Sequence, residues 1–368
     1  MRGKKTLILL AIFMLFIFAF AGCGSTDTGE AESDATGITL TDMEGREIAL
    51  EEDVDEIVVI GSALRLYTYI AGTEYLVGVE KAQQTDDSGR PYIMANPELA
   101  DLAIVGEGHP NDPDPELLIA ADPDVIISGD IMDTASLEEL QEKTGIPVVI
   151  VTAGDNAVFD EDMYEAMRII GKITRKDDRA EEVIAYMEDC KQELSDLTAS
   201  IADEDKPSIY VGALSFKGAH GIESTSGQTP LLTAINAKNV ADEVGTAGSI
   251  MIDKEQLLVW DPDIIVVDAG GLSIVKEDYA ANPDLYDSLT AVKEGNVYLQ
   301  LPYVNYYNNV ETAMADIYYA GSILYPEAFA SIDPIEKADE IYTFLLGEPL
   351  YEQMAELYGG YKQITLGE

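Results

Sequence analysis

Seven short, mostly apolar runs punctuate the chain: EIVVIG (56–61), YLVGV (75–79), DVIISG (124–129), PVVIVT (147–152), PSIYVGA (207–213), DIIVVD (263–268) and NVYLQL (296–301). Each has the length of a strand and is rich in Val and Ile. Segments with apolar residues at helical spacing alternate with them, a pattern that predicts parallel sheets in an α/β fold. The longest helical pattern is DRAEEVIAYMEDCKQELSDLTASIA (178–202), where Ala180, Val183, Ile184, Met187, Cys190, Leu194, Leu197 and Ile201 form one stripe. At ~1.5 Å per residue it would be roughly 38 Å long. Cys190 reads as a small buried hydrophobe on that stripe.

Two stretches align without a gap: DPELLIAADPDVII (114–127) and DKEQLLVWDPDIIV (253–266), identical at seven of fourteen positions and 139 residues apart. Each reads as a short helix, a D-P-D turn and a buried strand. The repeat predicts two Rossmann-like α/β lobes on one plan, an N-terminal lobe at 37–177 and a C-terminal lobe at 205–368. A single helix (178–204) would join them, with a ligand cleft between.

The N-terminus has its own pattern. Arg2, Lys4 and Lys5 precede TLILLAIFMLFIFAFAG, which is uncharged from residue 6 to 22, and Cys23 follows. A basic head, an apolar run slightly short of the ~20 residues that span a bilayer, and small residues before a cut site describe a signal peptide, 1–22. The ending FAGC resembles a bacterial lipobox, which implies a lipid on Cys23. Residues 23–36 are small, polar and acidic, as a flexible tether would be.

Charge removes one class of partner. The chain carries 22 basic and 69 acidic residues, a net charge of −47. Loss of the signal would leave about −50, which argues against nucleic-acid binding. Cys190 would then be the only cysteine besides Cys23, so the folded body has no intrachain disulfide.

In open α/β sheets ligands bind beyond the carboxyl ends of the strands. Four loops fall there. GSALRL (61–66) carries Arg65, GEGHPN (106–111) carries His109, and LSFKGAHGIEST (214–225) carries Lys217, His220 and Glu223. The fourth, in LPYVNYYNNVET (301–312), crowds Tyr303, Asn305, Tyr306, Tyr307 and Asn308 before a helix from about Val310 to Tyr325. Asn308 or Asn309 would cap that helix, with Glu311 in its first turn. Consecutive Tyr306 and Tyr307 are expected to point opposite ways. Both histidines of the chain lie in these loops.

Enzyme and metal motifs are missing. There is no G-x-S-x-G and no G-x-x-x-x-G-K-[ST]; DPDPE (112–116) begins like a calcium loop but lacks its glycine and has Pro123 at position twelve. Two histidines and one buried cysteine do not suggest structural zinc.

The stretches GSALRLYTYI, RPYIMANPEL, AADPDVII, FKGAHGIEST, LPYVNYYNNVET and FASIDPIEKADEIYTFLLG, in this order and spacing, resemble the substrate-binding lipoproteins of iron-complex (siderophore, haem, cobalamin) ABC importers. The resemblance covers nearly all of the chain from about residue 38. It implies two α/β lobes joined by one helix, and a monomeric binding protein rather than an enzyme, without a cofactor of its own. It also implies an iron or corrinoid complex as ligand, delivery to an ABC permease and its ATPase, and a location at the outer face of the cytoplasmic membrane or in the periplasm, lipid-anchored. Tyr92 joins the candidate ligand residues through the RPYIMANPEL match, and Arg65, Lys217 and Arg90 would favour a ligand with some negative charge. Glu80 is a candidate for docking to the permease. Two other readings stay open: direct ligation of ferric iron by His220, Glu223 and a tyrosine, or an exported enzyme or sensor on the same fold.

Overall fold

A computed structural model describes residues 37–85, 89–108, 113–130, 132–154 and 158–367. The seven apolar runs become strands of two five-stranded sheets. In the first, the order is Ala103–Ile104, Leu76–Val79, Ile57–Gly61, Val125–Gly129 and Val148–Val151, and every neighbouring pair is parallel. Ile57–Gly61 and Val125–Gly129 are buried along their whole length, as expected of strands covered on both faces. The second sheet runs Lys238–Asn239, Ser208–Gly212, Ile264–Asp268, Val297–Gln300 and Lys362–Gln363. Only its last strand is antiparallel. Two antiparallel strand pairs, Gly37–Thr41 with Glu47–Glu51 and Ser224–Gly227 with Gly248–Met251, were not anticipated.

The repeat is real at the level of structure. Pro115–Ala121 and Lys254–Trp260 are both seven-residue helices. Each ends on an aspartate in the left-handed region, Asp122 at φ 52° and Asp261 at φ 41°. Each then leads into the central part of its sheet.

The joining helix is Asp177–Thr198, 22 residues and ~33 Å long, six residues short of the expected end at 204. Its last residue, Thr198, bonds its own hydroxyl back to the Leu194 carbonyl at 2.9 Å. Cys190 is a free thiol, 3% exposed on the buried stripe. One continuous apolar core runs through Leu66 and Val59 of the first sheet, Met187 and Cys190 of this helix, Met314 and Ile317 of helix Val310–Leu324, and Ile209 and Val266 of the second sheet. Helix Pro334–Leu346 closes the back. Phe344 stacks on Tyr186, centroids 3.9 Å apart, and its carbonyl accepts from Arg179 at 2.5 Å. Residues Gly37–Glu368 accordingly form one unit. Among the described residues, no helix is long and apolar enough to cross a membrane. Cys23, the signal and the tether lie outside the described residues.

Candidate functional site

The first lobe supplies a polar floor. Strand Ile57–Gly61 ends at Gly61, whose N–H donates to Glu80 Oε2 at 2.9 Å. Gln83 donates to the same oxygen at 2.6 Å, and Tyr92, itself fully buried, donates to Gln83 at 3.2 Å. Glu80 therefore has no exposed surface with which to meet a permease arginine. The expected docking residue is a structural acceptor inside the protein. Asp130, at the end of strand Val125–Gly129, collects Ser62 Oγ at 2.5 Å, Thr152 Oγ1 at 2.8 Å and Ala153 N at 3.0 Å. The sequence reading missed Asp130, although it follows a strand end by the same rule that selected the other loops.

GSALRL is not a loop. Helix Ala63–Ala71 starts two residues after the strand, which carries Arg65 into the interior at 1% exposure. Its Nη2 donates to the carbonyl of Tyr306 in the other lobe. The guanidinium lies 5.0 Å from the Tyr92 ring and 5.9 Å from the Tyr307 ring. Its Nε and Nη1 meet no acceptor among the described residues. Arg90 sits at the N-cap of helix Pro91–Met94, 5.7 Å from the ring of Tyr306.

The tyrosine–asparagine strip bridges the lobes. Tyr303 is buried, and its carbonyl accepts from Asn309 N at 2.7 Å. A bridge between Val304 and Asn308 closes a tight loop, with Asn305 N donating to Tyr307 O at 2.9 Å. Tyr306 and Tyr307 both have left-handed backbones, φ 49° and 71°. The expected opposition of their side chains, a property of extended chain, is therefore absent. The rings meet edge to face at 5.5 Å, and both hydroxyls reach the first lobe. Tyr306 donates to Glu80 Oε2 at 3.2 Å and Tyr307 to the Asp130 carbonyl at 2.8 Å. Burial, with Asp130 and Glu80 nearby, pushes the Tyr307 hydroxyl up to about 12, so it stays a donor at neutral pH. Asn309 takes the N-cap position of the following helix but makes no side-chain cap; its amide turns back to the carbonyl of Tyr303 at 3.3 Å. Glu311 in the first turn is fully buried and accepts from Tyr69 of the first lobe.

The second-lobe loop divides its candidates. Lys217 is exposed, with its ammonium 5.6 Å from the Phe216 ring. His220 Nε2 lies 2.7 Å from the Phe216 carbonyl and so holds this loop's shape. Glu223 turns away, 3.8 Å from Lys254, which is paired with Asp278 at 2.7 Å. No group of three or more His, Cys, Asp or Glu side chains is placed to hold a metal among the described residues. His109 lies outside the described residues.

Two adjoining cavities open between these parts. One, about 700 Å³, is lined by Asp130, Phe216, Lys217, Asn305, Tyr306 and Tyr307, among others. The other, about 500 Å³, is lined by Thr229, Tyr303, Asn308 and Gly248, and shares Ser215, Phe216 and Val304 with the first. Phe216, 46% exposed, is thus a wall of both, and the sequence reading did not single it out. The volumes suit one sizeable small molecule held by rings and a few polar groups.

Two α/β lobes on one plan, joined by a helix and enclosing an aromatic cleft, define a solute-binding protein. The chain belongs to the periplasmic binding protein family, whose model matches residues 57–302. It is similar to a cobalamin-binding protein of Halobacterium salinarum, 23% identical over 272 residues, covering 71% of this chain and 67% of that protein. Among solved structures, a periplasmic solute-binding protein of Veillonella parvula superposes with a TM-score of 0.69 at 19% identity, covering 88% of this chain and 96% of the other. The molybdate periplasmic binding protein MolA of Haemophilus influenzae, bound to molybdate, gives 0.66 at 18% identity, covering 85% and 98%.

Proposed function

We propose that this protein is an extracytoplasmic, lipid-anchored solute-binding protein that captures a metal chelate of the siderophore, haem or corrinoid type and delivers it to an ABC permease. The observation that carries the reading is the pair of adjoining cavities walled by Phe216, Tyr303, Tyr306 and Tyr307, with Asn305, Asn308 and Lys217 also in their lining. Rings offer faces to a large planar or catecholate ligand, and amides satisfy its oxygens at little conformational cost. A cation at the rim of a chain with net charge −47 favours a ligand carrying negative charge. The likeness to a cobalamin-binding protein supports the same ligand class. Direct ligation of iron by His220 and Glu223 is disfavoured, because the Glu223 carboxylate points to Lys254 and His220 is engaged with a backbone carbonyl.

The test is mass spectrometry of what co-purifies, followed by titration of the mature protein with haemin, cyanocobalamin and a ferric tricatecholate. Tight binding of one chelate and none of free ferric iron is the expected result. Tight binding of the bare ion with no chelate bound would overturn the reading.

A further inference from the structure

We propose that Tyr306 and Tyr307 form a latched strap over a concealed anion-binding subsite built on Arg65. The inference rests on the cleft being the ligand site and adds that part of the ligand reaching Arg65 is an oxyanion, such as a carboxylate or catecholate.

The subsite is a buried cation whose donors are mostly unused. Arg65 is 1% exposed and always charged. Only Nη2 has an acceptor, the Tyr306 carbonyl, while Nε and Nη1 have none among the described residues. No carboxylate lies within ion-pair distance of Arg65 among those residues. Glu311 is near enough to feel its charge and Glu80 meets the same tyrosine, Tyr306, but each is otherwise engaged. Glu80 accepts from Gly61, Gln83 and Tyr306. Glu311 accepts from Tyr69, and burial raises its pKa toward the neutral form. A buried guanidinium with idle N–H groups is unfavourable until an anion completes it.

What separates Arg65 from the cavity of about 700 Å³ is the strap itself, since Tyr306 and Tyr307 line that cavity on one side and touch Arg65 on the other. The strap is a short loop closed by the Val304–Asn308 bridge, and its two central residues are both in the left-handed region that tyrosine rarely occupies. It is held down by two hydroxyls, on Glu80 and on the Asp130 carbonyl. The lobes share one apolar core, so parting them would expose much buried surface. Lifting the strap parts the two phenol hydrogen bonds, the Arg65 contact and the Arg90–Tyr306 ring contact, and leaves that core intact. An oxyanion in the cavity then replaces the Tyr306 carbonyl on Arg65, shifting the strap to its lifted position.

The strap can be tested without knowing the ligand. Phenylglyoxal labels accessible guanidinium groups, and peptide mass spectrometry reads the rate at Arg65 against Arg46, which is outside the cleft. The double variant Tyr306→Phe/Tyr307→Phe keeps both rings and removes both latches. Arg65 should label roughly tenfold faster in the variant, with Arg46 unchanged, as expected for two hydrogen bonds of ordinary strength. Citrate, used as an oxyanion probe, should protect Arg65 and not Arg46. Equal Arg65 rates in the variant and wild type, or no protection by citrate, overturn the proposal. If haemin, cyanocobalamin and ferric tricatecholate all fail to bind while Arg65 behaves as described, the chelate reading fails and the strap stands. If a chelate binds and Arg65 does not respond, the reverse holds.

Discussion

Asp124 and Asp263 hold the same place in two copies of one unit, each pinning the start of a neighbouring strand with a single carboxylate oxygen. Asp124 Oδ2 accepts from the N–H groups of Asp55 and Glu56, both at 2.9 Å. Asp263 Oδ2 accepts from Ser208 N at 2.7 Å and Ser208 Oγ at 2.6 Å. The D-P-D turn thus stops a helix with its first aspartate and registers a parallel strand with its second.

The turn predicts opposite signs for neighbouring substitutions. Asp263→Ala leaves two part-buried donors of Ser208 without their acceptor and should cost about 1–3 kcal/mol, and Asp124→Ala should cost less because water can replace the carboxylate on the exposed N–H groups of Asp55 and Glu56. Asp122→Gly relieves a left-handed residue and should gain up to about 1 kcal/mol. Asp261→Gly should lose stability instead, because its side chain also accepts from Thr290 N and Oγ1, both at 2.7 Å. Urea denaturation of the four variants measures all of these.

This unit shows why much of the fold was legible. Val- and Ile-rich strands buried on both faces read as continuous apolar runs, and helix stops recur at fixed distances from them. All seven expected strands fall within a residue or two of the observed ones. The missed strands, such as STSG at Ser224–Gly227 and KQ at Lys362–Gln363, are short and polar and are set by tertiary pairing. In the cleft, the strip and the Lys217 loop, which also holds Phe216, were placed correctly beyond strand ends. The sequence could not reveal that Arg65 enters a helix at once, that Glu80 is buried, or that Glu223 prefers Lys254. Each depends on packing between segments far apart in the chain. The direction of Tyr306 and Tyr307 was misjudged because alternation holds for extended backbone, and both residues are left-handed.

The second lobe should be acid-favoured. Burial pushes the Asp268 carboxyl up to about 7, while its Oδ1 accepts from Gly270 N at 2.9 Å. An unfolded aspartate releases its proton near pH ~3.9. Between roughly pH 4 and 7 the folded protein holds a proton that the unfolded chain has lost, so stability falls as pH rises through this window. The contribution is complete below the window and gone above it. Buried Glu311 and Asp316 are shifted the same way. Asp268→Asn keeps the acceptor and cannot ionise. It should remove up to about 4 kcal/mol of the pH-dependent loss. A series of urea midpoints from pH 4.5 to 7.5 would show parallel profiles if Asp268 were not responsible.

Cys23→Ser should abolish fatty-acid labelling of the protein in cells and leave the precursor uncleaved at this site. Equal incorporation of a fatty-acid probe into variant and wild type would remove the lipid anchor from the proposed function.

The order of effects in one loop distinguishes chelate recognition from direct metal ligation. Phe216 walls both cavities, so Phe216→Ala should remove stacking and burial together. Stacking alone is typically worth ~0.5–1.5 kcal/mol, so the loss should be roughly tenfold in affinity or more. Lys217→Ala should weaken an anionic chelate modestly at physiological salt and more at low salt, since an exposed charge is screened over ~8 Å at 0.15 M. His220→Ala removes a ring whose Nε2 is engaged with the Phe216 carbonyl at 2.7 Å, so its effect passes through the loop's shape. It should therefore cost less than Phe216→Ala. A metal held directly by the imidazole would invert that order, with His220→Ala nearly abolishing binding and Phe216→Ala barely changing it. Isothermal titration of the three folded variants with the co-purifying chelate, at two salt concentrations, gives the ranking.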